Sequence, residues 1–220
     1  MATLSRSRQD YLKALYALDR GDEPVPTSRL AAQLGVSAPS VTNMLARLAE
    51  ERLVKHVPRC GARLTARGRR EALEMVRRHR ILETFLVRVL GLDWAEVHAD
   101  AEVLEHHISD RVLDAIDRLV GHPHEDPHGH PIPDASGNLR TRDLTPMADL
   151  VPGERGTVRE LRAKEAGRLQ RWKELGLVPG AACRMTERQE LEDVMHISVA
   201  ERTIVTSSAG VDGVFVERSA

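Results

Sequence analysis

Within TSRLAAQLGVSAPSVTNMLARL, a small residue, a glycine and an apolar residue fall where two short helices must cross closely: Ala31 in the first helix, Gly35 in the turn and Val41 in the second. This is the spacing of a helix-turn-helix. Ser37 is placed to cap the second helix, predicted over 38–51 with Val41, Met44, Leu45 and Leu48 facing inward. Its exposed N-terminal positions are Ser37, Pro39, Ser40, Thr42 and Asn43, whose short, mostly polar side chains suit base edges and phosphates in a major groove. LVKHV and ARL then flank the turn Pro58-Arg59-Cys60-Gly61, which predicts a β-hairpin with Arg59 and Arg63 on a wing. A three-helix bundle that binds nothing satisfies the same apolar pattern, so charge has to be weighed as well.

The net charge of −1 over 220 residues hides a strong division. Residues 1–80 carry 16 Lys+Arg against 8 Asp+Glu, residues 81–140 carry 4 against 12, and residues 141–220 carry 12 against 13. The basic first part suits a phosphate backbone, and the acidic, histidine-bearing middle suits a cation. Charge alone leaves open that these groups merely solvate helices. Six aromatic residues argue against a stacking platform for single strands. No stretch approaches the roughly 20 apolar residues of a membrane span, and the start MATLSRSRQDYLKAL lacks the apolar block of a secretory signal, so a cytoplasmic protein is expected. Cys60 and Cys183 lie outside any CxxC pattern, which supports neither a disulfide framework nor a cysteine zinc site.

Helical periodicity runs through the first 120 residues. Ser7 is placed to cap a helix carrying Tyr11, Leu12, Leu15 and Leu18, and Thr65 opens a long helix reaching Leu90. Asp93 with Glu96 resembles a capping box, and Ser109 opens a further helix ending at Gly121. HPHEDPHGHPIPDASGN, dense in Pro, Gly, Asp and His, predicts a loop. Beyond it, β-rich runs such as TIVTSSA and GVFVE surround one helical segment, AGRLQRWKELGL, as in a small β-barrel module. The expected architecture is therefore mainly α with a small β module: a winged helix-turn-helix over 1–73, a helical metal-binding and dimerisation domain over 74–140, and an SH3-like β-barrel over 141–220.

In VHADAEVLEHHISD, His98, Glu102, Glu105 and His106 stand at i, i+4, i+7 and i+8, one stripe of an uninterrupted helix. Four such groups on one stripe are costly to leave without a cation. The preceding helix adds His79 and Glu83, one turn apart. Each pair alone is also an ordinary surface contact. His107 points away from the stripe. The linker histidines His122, His124, His128 and His130 offer either another metal site or a turn.

The DYL segment at Asp10, the SAPSVTNMLARL helix, RRHRILETFL, VHADAEVLEHHISD, the HGHPIP linker and the C-terminal GRLQRWKELGLVPG together resemble the diphtheria-toxin-repressor family of iron- and manganese-dependent regulators. The resemblance covers essentially the whole chain. It implies a primary site of Asp10, Glu102, Glu105 and His106, and an ancillary site of His79, Glu83 and His98 completed by Glu165. The iron branch has sulfur-containing residues where this chain has Asp10 and Glu102, so the chain resembles the manganese branch. Two positions depart from the pattern: Lys13 stands where the manganese branch carries a second glutamate one turn after the aspartate, and Arg168, which cannot ligate, stands where the family has a second C-terminal donor.

Oxygen-rich, near-octahedral sites suit Mn²⁺ and Fe²⁺, whereas sulfur-rich tetrahedra favour zinc. The expectation is a metal-activated repressor of metal-homeostasis genes that is not an enzyme, sensing Mn²⁺ with Fe²⁺ as alternative. Zn²⁺, Co²⁺ or Cd²⁺ are expected to substitute in vitro. Its partners would be a double-stranded DNA operator and a second copy of itself, with no membrane and no small-molecule substrate. Two rival readings are a metal-dependent hydrolase, in which two adjacent sites activate water, and a metal-independent winged-helix regulator, which would bind DNA equally after chelation.

Overall fold

The structure is a computed structural model that describes residues 5–219 apart from positions 20, 22, 58, 164 and 201. Pro58, expected at the wing turn, lies outside the described residues. The chain divides into two compact units, Met1–His79 with Pro133–Asn138, and Arg80–Ile132 with Leu139–Ala220.

The first unit holds α1 (Arg6–Leu18), α2 (Thr27–Leu34), α3 (Ala38–Glu50), β1 (Val54–Val57), β2 (Gly61–Leu64) and the start of α4 (Ala66–Arg88). The cap of α1 falls at Ser5 instead of Ser7, because the Ser5 carbonyl accepts from the amides of Arg8 and Gln9. Gly35 ends α2 in the left-handed region at φ 64°, and Ser37 Oγ then accepts the Ser40 amide at 3.4 Å to start α3. Leu12 and Leu15, Leu30, and Val41, Leu45 and Leu48 from the three helices bury themselves completely or nearly so in one core, with Leu53 and Ala62 from the wing. The wing hairpin pairs Val54 with Leu64 and Val57 with Gly61. At the head of α4, Thr65 Oγ1 accepts the Gly68 amide at 3.1 Å and donates to the Arg52 carbonyl at 2.8 Å.

In the second unit, the rest of α4 packs with α5 (Val97–Leu104) and α6 (Asp110–Leu119) through Ile81, Leu82, Leu86, Val97, Ala101, Leu113 and Ile116. Asp93 Oδ1 accepts the Ala95 amide at 3.0 Å in the turn before α5, and Ser109 Oγ accepts the Val112 amide at the start of α6. No described helix is long and apolar enough to cross a membrane.

The linker forms the expected loop, and its anchor is Asp126, whose Oδ1 accepts the amides of His128 and His130 at 2.8 and 2.9 Å. Gly129, at φ 86°, lets the loop pass close to the β module: a Cβ there would lie 1.7 Å from the Arg159 carbonyl oxygen. The Leu161 amide donates to the His128 carbonyl at 3.0 Å.

The β module is a six-stranded antiparallel sheet in the order β3 (Thr145–Pro146), β8 (Val214–Ser219), β4 (Arg155–Leu161), β5 (Ala182–Gln189), β6 (Val194–Val199), β7 (Arg202–Thr206). The helix α7 (Ala166–Glu174) buries Leu169 and Trp172 against it, and Trp172 Nε1 donates to the Gly210 carbonyl at 2.8 Å. A short α8 (Ser208–Val211) precedes β8. The three parts match the expected architecture: a winged helix-turn-helix, a helical domain and an SH3-like β module.

Two glycine substitutions should move stability in opposite directions. A Cβ at Gly68 would meet the Leu53 carbonyl oxygen at 1.9 Å, so α4 would have to shift from the wing. Gly68→Ala should lose about 1–3 kcal/mol as an overpacked site. Gly167 has nothing within 4 Å of its Cβ position, so Gly167→Ala should gain about 0.4–1 kcal/mol by restricting the unfolded chain. Scanning calorimetry of both variants checks the two signs.

Candidate metal centre and nucleic-acid interface

Ser37, Pro39, Ser40, Thr42 and Asn43 are all exposed at the N-terminal end of α3, while Val41 and Leu45 on the opposite face are fully buried. The Ser37 and Ser40 hydroxyls bond one another at 2.9 Å, and Thr42 Oγ1 donates to the Ala38 carbonyl at 3.1 Å. Those bonds restrict the hydroxyls, and each oxygen retains further acceptor capacity. In the wing, Arg59 is exposed at φ 64°, whereas Arg63 is half-buried with its Nε partnerless among the described residues.

The helix α5 stops at Leu104, earlier than the stripe expected from sequence requires. Glu105 occupies the C-cap, and His106 lies in the turn beyond it. The four residues therefore separate into two settings. Glu105 and His106 have side chains 1% and 4% exposed, with His106 Nε2 3.6 Å from Glu105 Oε1. Glu102 is 46% exposed and places Oε1 3.5 Å from His98 Nε2, so it accompanies a residue expected in the ancillary set. His107 is exposed, as expected. Asp10 is half-buried on α1 in the first unit.

Glu83 is the hub of the ancillary residues within the second unit. Its Oε1 lies 3.1 Å from His98 Nδ1 and its Oε2 lies 3.6 Å from His128 Nδ1. His128 Nε2 donates to the Trp94 carbonyl at 2.8 Å, which turns Nδ1 towards Glu83. Burial alone would lower the affinity of His128 for its proton, but the Glu83 carboxylate outweighs it, with Asp126 and the Trp94 carbonyl assisting, and the pKa rises. Asp126 is buried, which by itself would raise its pKa; the neighbouring His130, assisted by Arg80, holds the carboxyl below the usual range. His79, buried on α4, has Lys13 Nζ 3.3 Å from its Nδ1.

Glu165 stands exposed at the N-cap of α7 without a side-chain capping bond, and among the described residues it joins none of the close carboxylate–imidazole groups. Arg168 donates instead to the Ala209 carbonyl inside the β module. Asp126, His128 and His130, whose ligand atoms lie within 4.8 Å of one another, form a group of which the sequence singles out the two histidines as possible ligands but not Asp126. The signal for it was the DPHGH run, where a carboxylate bonding two later amides draws alternate residues together.

Carboxylates and imidazoles are donors that suit divalent Mn²⁺ or Fe²⁺, and a buried carboxylate such as Glu105 gains from a cation that offsets its lost hydration. Thiolates are absent from these groups among the described residues: Cys60 is exposed, and Cys183 is buried in the β module with its pKa pushed up to about 11 by burial.

Comparison with known proteins agrees with this organisation. Residues 3–62 match the iron dependent repressor N-terminal DNA binding domain, residues 65–134 the iron dependent repressor metal binding and dimerisation domain, and residues 145–218 the FeoA domain. The chain is 33% identical over 133 residues to the iron-dependent repressor IdeR of Mycobacterium leprae, spanning 60% of this chain and 58% of that protein. It is 42% identical over 115 residues to the transcriptional regulator MntR of Escherichia coli O6:H1, spanning 52% of this chain and 73% of that one. A solved manganese-dependent transcriptional repressor in complex with manganese superposes with a TM-score of 0.90 at 36% identity, over 96% of this chain and all of that one. The repressor ScaR with bound Zn²⁺ superposes with a TM-score of 0.80 at 30% identity, over 96% of this chain and 99% of that one. With its DNA-binding, metal-binding and FeoA segments in that order, the chain belongs to the diphtheria-toxin-repressor family.

Proposed function

We propose that this protein is a metal-activated transcriptional repressor of metal-homeostasis genes, with Mn²⁺ as its co-repressor and Fe²⁺ as the next choice. The observation that carries this reading is the buried Glu105–His106 pair, an oxygen and a nitrogen donor held out of water in the helical unit. Manganese in a similar repressor, Zn²⁺ and Cd²⁺ in ScaR and iron in the IdeR name support a divalent ion that several metals replace. Zn²⁺, Co²⁺ and Cd²⁺ are accordingly expected to bind in vitro, zinc more tightly than manganese by the usual affinity order. Activation then depends on geometry as well as affinity.

The primary set is Asp10, Glu102, Glu105 and His106. Asp10 belongs to the unit that carries α3, so an ion shared with Glu105 and His106 would staple the two units. Glu102 would have to leave His98 to join them. The ancillary set is His79, Glu83 and His98, with Glu165 as completing donor. The partner is a second copy, docked through the helical unit, where Leu92, Val103, Val112 and Leu119 are each exposed. A symmetric dimer sets its recognition helices against operator half-sites about one helical turn apart or a multiple of it. Base and phosphate contacts fall to Ser37, Pro39, Ser40, Thr42 and Asn43, with Arg59 and Arg63 from the wing. Metal and DNA must tighten one another equally, by about 1–3 kcal/mol in typical cases.

The deciding experiment selects duplexes from a randomised pool with Mn²⁺-loaded protein, then titrates binding against Mn²⁺, Fe²⁺ and Zn²⁺ beside a chelated control. Binding unchanged by chelation would overturn the reading. Glu105→Ala and His106→Ala should each erase metal-dependent tightening, about 5–150-fold for a coupling of that size, while leaving a folded dimer by sedimentation. A response like the parent's in either variant would remove that residue from the site. Asp10→Met, which adds a soft donor, should move the activating preference from Mn²⁺ towards Fe²⁺; the order of half-maximal concentrations for the two ions measures it.

A further inference from the structure

Lys13 stands where the manganese branch that the chain resembles carries a second glutamate, and the structure gives it a partner. It lies on α1 one turn beyond Asp10, and its Nζ is 3.3 Å from Nδ1 of His79, which is 6% exposed on α4; both residues belong to the first unit. A lysine ammonium has donors only, so Nδ1 must accept. A neutral imidazole has one such lone pair, and its other nitrogen, Nε2, then carries the ring proton. A metal ion needs a lone pair too. If it binds Nδ1, it displaces the ammonium; if it binds Nε2, the ring proton moves to Nδ1 and faces the ammonium with no acceptor between them. The ion and the Lys13 bond therefore exclude one another at His79.

We infer that Lys13 is a tethered cation that competes with Mn²⁺ for His79, so that a site using His79 fills only at higher Mn²⁺ than the site using Glu105 and His106. The inference rests on the ancillary ligand set proposed above. A second observation points the same way: Glu83, one turn along α4 from His79, already has Oε1 against His98 and Oε2 turned towards His128. Ion binding there has to rearrange existing partners at Glu83 as well as expel the ammonium. Lys13 thereby separates the two loading steps and makes occupancy of the second site a report of metal excess.

The test measures Mn²⁺ binding to the full-length protein from the electron paramagnetic resonance signal of free aqueous Mn²⁺, with the parent, Lys13→Gln, His79→Ala and the double variant. The parent should show a tighter and a weaker class of site, and His79→Ala should lose the weaker one. Lys13→Gln should tighten the weaker class roughly tenfold, the scale of one charge-assisted hydrogen bond, and the double variant should show no such gain. Lys13→Met should repeat the result without a polar side chain, and Lys13→Arg, which keeps charge and donors, should behave like the parent. Equal tightening with and without His79 would reveal a diffuse charge effect and overturn the competition, as would no tightening at all. If His79→Ala changes Mn²⁺ binding in neither background, His79 is no ligand, and the ancillary reading fails together with the competition. Thermal melting of each variant establishes that the proteins compared are folded.

Discussion

Three carboxylates in the second unit, Glu83, Glu105 and Asp126, lie almost wholly out of water, and each has an imidazole as neighbour. Removing a carboxylate from water costs several kcal/mol even after the protein relaxes around it. The cost is offset only where a positive or hydrogen-donating group meets the oxygens. Asp126 has His130, two backbone amides and Arg80 at 3.6 Å. Glu83 has His98 and His128. The linker loop, the turn before α5 and the face of α4 are thus tied to buried charge as much as to apolar packing. Substituting one partner would strand the other, which is costlier than never having buried the pair.

This arrangement explains why the linker has a defined path despite its loop composition. Asp126 gathers the DPHGH run by accepting successive amides, and Gly129 admits the Arg159 backbone where any side chain would collide. Arg80, on α4, donates to the Pro131 carbonyl and approaches Asp126. His128 then faces Glu83 through Nδ1 because its Nε2 is held by the Trp94 carbonyl. A hydrogen bond to one imidazole nitrogen fixes what the other can do. The same logic acts on His79, where Lys13 takes the acceptor nitrogen.

Local rules made much of this chain legible. Gly35 and Ser37 announce the turn and cap of the helix-turn-helix because both act on their immediate neighbours, and Thr65 does the same at α4. Periodicity placed Glu105 and His106 on one stripe with His98 and Glu102, but it assumed that α5 continues through them. The helix ends at Leu104, and the following turn leaves Glu102 outside with His98 while Glu105 and His106 go inside. Asp126, His128 and His130 were illegible as a group because a two-residue spacing in a loop has no fixed face. Their convergence depends on amides bonding a side chain. Lys13 was legible as a departure, but its partner is 66 residues away, and only the packing of α1 with the start of α4 brings the two together.

On the proposed ligand set, the position of Asp10 would connect a small ion to DNA binding. The residues that follow it on α1, Tyr11 and Leu12, are buried in the same core as Leu30 of α2 and Val41 and Leu45 of α3. Close packing of this kind transmits displacement instead of absorbing it. A ligand bond at Asp10 therefore constrains α1, and α1 constrains the orientation of the helix that carries Ser37, Ser40, Thr42 and Asn43. The ion needs no contact with DNA and need not alter the recognition helix itself. On that ligand set its effect would pass through the packing of α1, and the coupling free energy would be the difference in DNA affinity between the metal-bound and metal-free protein.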